Sequence, residues 1–248
     1  MLIDTHIHVG QFNNLYFAPS VVCNLMEHLR VSHYAVSSTS ICEENYRKVL
    51  DELRELIDID GEKVLPVMWI TPLGLKGNIA WYLESEIKWR MLKIHPFLNC
   101  EEWQKQPALF IEVCDIAREL NLPVLIHTGN EKCCQCIVFE NIIANNPDII
   151  FILAHGRPLQ QAIKMANNYD NVFVDSAFMP VDQMYVFIKK ASATKLLWGT
   201  DMCIPKYFYP EQDMRQYYLN KLNAFRIICT QEQFDRVTYF NAKNLLSL

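Results

Sequence analysis

No stretch of this sequence comes near the roughly 20 consecutive apolar residues that a helix needs to cross a bilayer. The opening MLIDTHIHVG holds no basic segment followed by an apolar run. Both absences lead to the expectation of a soluble, cytoplasmic protein with no membrane partner. Runs of like charge are missing too: 28 acidic residues against 23 basic ones leave a formal charge of −5 with no basic stripe. A diffuse electrostatic grip on nucleic acid is therefore not expected. There is no composition shift, low-complexity tract, internal repeat or glycine-rich dinucleotide turn, which argues against solenoids and open nucleotide-binding sheets.

Cysteine is not scarce, but the nine residues are scattered and odd in number, and without a secretory signal they are expected to be reduced. Cys133, Cys134 and Cys136 cluster. A structural zinc site needs four ligands in a closed tetrahedron, and no fourth lies at the usual spacing, so the expectation is a surface loop of free thiols.

Hydrophobic residues make up 51% of the chain, enough for a large core. Short apolar runs rich in β-branched residues recur at 2–7, 33–38, 64–70, 91–95, 122–127, 149–154, 171–175 and 195–199. Between them lie segments with helical periodicity, such as Phe110, Val113, Cys114, Ala117 and Leu120 on one stripe. Ser40 with Glu43, and Thr230 with Gln233, match capping boxes. Pro19, Pro107, Pro158 and Pro180 suit first helical positions. Eight strand–helix units in 248 residues predict one (β/α)8 barrel domain spanning residues 1–248.

Alternate side chains of a strand share a face, so His6 and His8 project together while Ile7 turns away. The fifth run ends in His127, the sixth in His155 and the eighth leads into Asp201. Parallel barrel strands bring all their carboxyl ends to one mouth, where barrel enzymes place catalytic groups. Four imidazoles and a carboxylate arriving there are the ligands that Zn2+ prefers. In the fourth run, Lys93 and His95 share a face.

The opening His-x-His, the fifth- and sixth-strand histidines and the final-strand aspartate stand in an order that resembles the amidohydrolase superfamily. The stretches IDTHIHVG, MLKIHP, VLIHTG, LAHGR, LWGTDMC and FNAKNLLSL look most like its amidohydrolase-related branch, amidohydrolase 2. That branch includes hydrolases and nonoxidative decarboxylases of small carboxylated substrates. The resemblance implies a divalent metal, expected to be Zn2+, held by His6, His8, His127 and Asp201. Asp201 would shuttle protons, and His155 would orient or polarise the substrate carbonyl or help fix the nucleophile. One ion is expected. In members with two, a carboxylated fourth-strand lysine bridges them, which would make Lys93 a ligand and enlist His155. Otherwise Lys93 faces an anionic substrate. TatD-type nucleases carry a glutamate motif of the GEIGLD kind in the fourth strand, where this sequence has LKIHP.

The expected function is metal-dependent hydrolysis of a small, carboxylate-bearing amide, lactone or ester by activated water. The alternative is metal-dependent decarboxylation of an unsaturated or aromatic acid, with a nuclease or a noncatalytic metal binder behind both. Arg157 is expected to take a substrate carboxylate through its planar fork, with Trp69, as a wall, and His95 as further substrate-binding residues. Tyr207, Phe208 and Tyr209 are candidates for a roof. The expected partner is a small molecule, with a homo-oligomer also open.

Overall fold

In the computed structural model, which describes residues 1–98 and 100–248, each apolar run forms one strand, the first extending beyond its run to Phe12. These are β1 (Ile3–Phe12), β3 (His33–Ser38), β4 (Val64–Trp69), β5 (Met91–Ile94), β6 (Val124–His127), β7 (Phe151–Ala154), β8 (Val172–Asp175) and β9 (Leu196–Leu197). All eight pair in parallel, in the order β1-β3-β4-β5-β6-β7-β8-β9. The remaining strand, β2 (Leu15–Phe17), folds back antiparallel on β1 with Gly10 opposite Phe17.

The two ends of the sheet meet. Thr5 N donates to Trp198 O at 2.9 Å, Asp201 N donates to His6 O at 2.7 Å, and Ile7 bridges Met202. This seam closes the (β/α)8 barrel and ties the segment bearing Asp201 to the strand bearing His6 and His8. A bulge between Asp4 and Ile7 gives β1 one extra residue relative to β3.

Strand parity separates two apolar layers. Ile3, Ala35, Leu65, Val67, Met91, Leu125, Ile152 and Leu197 fill the barrel, with Ala242 and Leu246 packed among them from the C-terminal end of the chain. Leu92, Ile94, Val124, Ile126, Phe151, Leu153 and Val174 belong to the outer layer under the helices. Two residues beyond an inward apolar residue, the chain points inward again: Lys93 follows Met91, His127 follows Leu125, and Asp175 follows Phe173. The polar mouth is thus the last turn of the inner alternation. No helix among the described residues is long and apolar enough to cross a membrane.

Helix starts follow the sequence in part. Thr230 and Gln233 form the reciprocal capping box, and Pro19 opens its helix. Pro107, Pro158 and Pro180 stand one residue earlier, at N-cap positions. The box expected from Ser40 and Glu43 does not form. Ser38 caps the short turn Thr39–Glu43 instead, because Glu52 captures the Ser40 hydroxyl at 2.9 Å and the Ser38 hydroxyl at 2.5 Å. Glu52 is a buried carboxylate on the helix Tyr46–Asp60, and burial raises its pKa.

This cluster leaves no room at the end of β1. Gly10 has φ +94°, and a Cβ there would fall 2.5 Å from Glu52 Oε2 and 2.8 Å from the Ser38 and Ser40 hydroxyls. Gly10→Ala is expected to cost about 2–4 kcal/mol, combining a strained φ with overpacking. Urea unfolding checks this. An unshifted midpoint would mean that the cluster yields freely.

Candidate metal centre

Five of the seven histidines gather at the mouth: His6, His8, His95, His127 and His155. His6 Nε2 and His8 Nε2 approach one oxygen, Asp201 Oδ1, at 3.2 and 2.8 Å. Lys93 Nζ reaches the same two nitrogens at 2.8 and 3.0 Å. His6, His8 and Asp201 form a buried group whose ligand atoms lie within 4.8 Å of one another. Asp201 (φ 60°) and His155 (φ 65°) both adopt left-handed backbone, a strain that accumulates at functional sites.

Hydrogen bonding fixes which nitrogens are free. His6 Nδ1 lies 2.8 Å from Asp175 Oδ2. An ionised carboxylate only accepts, so Nδ1 carries the proton and Nε2 its lone pair. His8 Nδ1 faces the Ser37 carbonyl at 3.3 Å and the Ser37 hydroxyl at 3.1 Å. Donation to that carbonyl likewise leaves the lone pair on Nε2. Two imidazole lone pairs and a carboxylate oxygen then converge, and among the described residues Lys93 is the one donor set between them. Neutral imidazole plus carboxylate is the donor chemistry of a divalent ion, so these residues fit one.

A second chain of bonds orients His127. His155 Nδ1 donates to Ala177 O at 3.1 Å, so neutral His155 accepts at Nε2 from His127 Nδ1, 3.0 Å away. The free lone pair of His127 is therefore at Nε2. His127 also stacks on His95 at 3.7 Å between ring centroids. It reaches His6 through the His155 ring, 4.8 Å from its own and 5.3 Å from that of His6, but is not in the compact group of His6, His8 and Asp201. His155 instead groups with His6 and Asp175. There the His6 ring N–H and the His155 main-chain N–H already satisfy the carboxylate, the latter at 2.9 Å.

Asp175 is the residue that sequence reasoning passed over. It ends β8 as His127 ends β6, and that position was the available signal. Besides His6 and the His155 amide, it accepts from Ala177 N at 2.8 Å. A carboxylate on the far nitrogen of a ligating histidine sets its tautomer and basicity. Asp175→Asn is expected to weaken metal affinity by about 10–100-fold with the fold retained. Competition with a chelating dye measures it, and unchanged affinity would remove the orienting role.

Below the centre, Asp4 is fully buried and holds the seam. Thr200 donates to it from Oγ1 at 2.6 Å and from N at 3.2 Å, and His6 N donates at 3.1 Å. Lys221, buried on the helix Met214–Ile228, donates to Ser176 O beside the Ala177 carbonyl that holds His155.

Burial sets the protonation of the cluster. It drives His8 down to about 3, aided by Lys93, and His155 down to about 4. It also pushes His95 and His127 well below the ordinary imidazole value. Lys93 falls to about 8 for the same reason. Burial opposes ionisation of Asp201 and Asp175, but the neighbouring imidazoles outweigh it. Asp201 is held well below the usual carboxylate range, and Asp175 at about 2.

The imidazole shifts carry a pH signature for the metal-free protein. An unfolded imidazole takes up its proton near 6.5, whereas these folded ones stay neutral until far lower pH. Stability is therefore full above about pH 6.5 and falls as pH drops toward 4, by up to about 1.4 kcal/mol per pH unit for each group. Asp4, raised by burial to about 7, and Glu52, also raised, work in the opposite direction on acidification. Four imidazoles against two carboxyls predict lower unfolding free energy at pH 5 than at pH 7. Urea titration after chelation checks the sign, and greater stability at pH 5 would contradict it.

The rim supplies recognition surfaces. Arg157 donates from Nη2 to Phe178 O at 3.3 Å and lies 5.8 Å from the Phe178 ring centroid. Among the described residues no carboxylate pairs with it. Trp69 is buried, with Lys93 Nζ 4.4 Å from its ring centroid and His95 stacked at 5.6 Å. Tyr207, Phe208 and Tyr209 are exposed, with Tyr207 against Phe12 and Phe208 against Phe178. The thiols overturn one expectation: Cys133, Cys134 and Cys136 are buried, not on the surface, because the loop after β6 folds inward.

A sequence model described as amidohydrolase matches residues 49–248. The chain belongs to the amidohydrolase family. The match includes Lys93, His95, His127, His155, Asp175 and Asp201, while His6 and His8 precede it. No functionally curated protein matches this amidohydrolase. Solved structures that share its fold include a probable 2-pyrone-4,6-dicarboxylic acid hydrolase from Acinetobacter baumannii with citric acid bound. That one has TM-score 0.68 and 13% identity, over 100% of this chain and 99% of that one. Another is the Metarhizium anisopliae IDCase in apo form, with TM-score 0.72 and 12% identity over 100% and 97%. A third is 5-carboxyvanillate decarboxylase from Sphingomonas paucimobilis, with TM-score 0.64 and 10% identity over 100% and 99%. At these identities the likeness is one of fold.

Proposed function

We propose that this amidohydrolase hydrolyses a small carboxylate-bearing amide, lactone or ester at a Zn2+ centre, with Asp201 as proton shuttle. The observation that carries the reading is the approach of His6 Nε2 and His8 Nε2 to the buried Asp201 Oδ1 at 3.2 and 2.8 Å. His6, His8, His127 through Nε2, and Asp201 would hold the ion, which when bound supplies Lewis-acid activation of water. Asp201, ionised in this setting, takes a proton from the attacking water and returns it to the leaving group. His155 acts by fixing the His127 tautomer, since both of its ring nitrogens are engaged. Lys93 and Arg157 give the pocket its preference for an anionic substrate, and Trp69 and His95 wall it against water.

The competing reading is nonoxidative decarboxylation of an unsaturated or aromatic acid; fold neighbours include enzymes named as decarboxylases. The two chemistries part at the product. Turnover of a panel of lactones, amides and carboxylated aromatics in 18O-labelled water is expected to place the label in a new carboxylate. Carbon dioxide release without a labelled acid would overturn hydrolysis, and retained metal with no turnover on either class would leave a binder.

A further inference from the structure

The thiol cluster lies outside the chemistry above. Cys133 Sγ and Cys134 Sγ are 3.8 Å apart on adjacent residues of the short turn Lys132–Cys134. The turn is pinned on both sides: Gly129 N donates to Cys134 O at 3.0 Å, and Cys134 N donates to Glu131 O at 2.9 Å. The two sulfurs are thus brought together before any ligand arrives. Cys136 is directed elsewhere, donating to Arg157 O at 3.1 Å, and burial pushes its pKa up to about 12. Among the described residues the three sulfurs do not make a three-ligand group. A closed zinc site needs four donors, so what remains is a two-sulfur chelate.

Cys133 also lines an apolar cavity of about 240 Å³, bounded by Pro96, Trp103, Phe110, Phe139 and Ile142. A cavity of about 150 Å³ with apolar walls admits benzene, so this one has room for an aromatic ring. We propose that Cys133 and Cys134 form a chelating site for a trivalent arylarsenical, with arsenic bridging both sulfurs and the aryl group in the cavity. Trivalent arsenic takes three substituents, so two sulfurs and the aryl carbon complete it and no third protein sulfur is needed. The exchange balances without an oxidant. Two As–O bonds of an arylarsenous acid break as two As–S bonds form, and each departing hydroxide leaves as water with one thiol proton.

The folded protein, treated with equimolar phenylarsine oxide in excess 2-mercaptoethanol to strip adducts from single thiols such as Cys42, is expected to gain one phenylarsenic group by intact mass. A small dithiol should remove it, and peptide mapping should place it on residues 133–134. Cys133→Ser and Cys134→Ser should each lose the adduct, while Cys136→Ser and Cys42→Ser keep it. Val138→Trp, which fills the cavity from its exposed rim, should weaken phenylarsine oxide binding by about tenfold and leave inorganic arsenite nearly unaffected. Mapping on the wild type stands even if a variant fails to fold. An adduct elsewhere, one formed only in urea, or none at all would overturn the site, and equal effects of Val138→Trp on both arsenicals would overturn the aryl pocket.

Discussion

Asp201→Asn is expected to lower turnover by about 10²- to 10⁴-fold, the share of a positioned general acid and base. The amide has nearly the shape of the carboxylate but cannot accept and return a proton at neutral pH. It also removes the negative charge facing Lys93 and the imidazoles of His6 and His8. The stability loss should be smaller than the about 2–5 kcal/mol of a core leucine truncation, because the volume is conserved. Steady-state kinetics on a true substrate, together with thermal unfolding of the same sample, separates the two effects. Turnover at the wild-type level would take Asp201 out of the mechanism.

The second large effect is on metal content. His6→Ala with His8→Ala removes both Nε2 lone pairs that point at Asp201 and also strips Asp175 of its imidazole partner. Metal affinity is expected to fall by more than the about 10–100-fold typical of losing an outer partner. Elemental analysis of the purified protein, with circular dichroism as the check on folding, gives the answer. Full occupancy in a folded double variant would mean that the ion sits elsewhere.

The (β/α)8 barrel was legible because each strand is a short apolar run and each crossover carries helical periodicity. Both are local signals that survive in one dimension. His127, His155 and Asp201 were legible as polar residues where an apolar run stops, and His6 and His8 as alternate residues sharing one face of β1. Asp175 obeyed that rule and was passed over, and its role depends on His6, 169 residues away in sequence. The Ser40–Glu43 box failed because Glu52, on another element, competes for the same hydroxyl. The buried thiols were misplaced because the burial of a loop depends on what packs over it.

The sequence by itself determined the alternation of strands and helices, the face on which each polar residue would emerge, and the chemical types available at the mouth. Periodicity and residue chemistry are properties of neighbours along the chain. Only the tertiary structure decided which nitrogen of each histidine is free, that Asp175 orients His6, and that two thiols stand beside an apolar cavity. Those outcomes depend on distances between segments that meet only when the barrel closes, and hydrogen bonding and burial act over those distances.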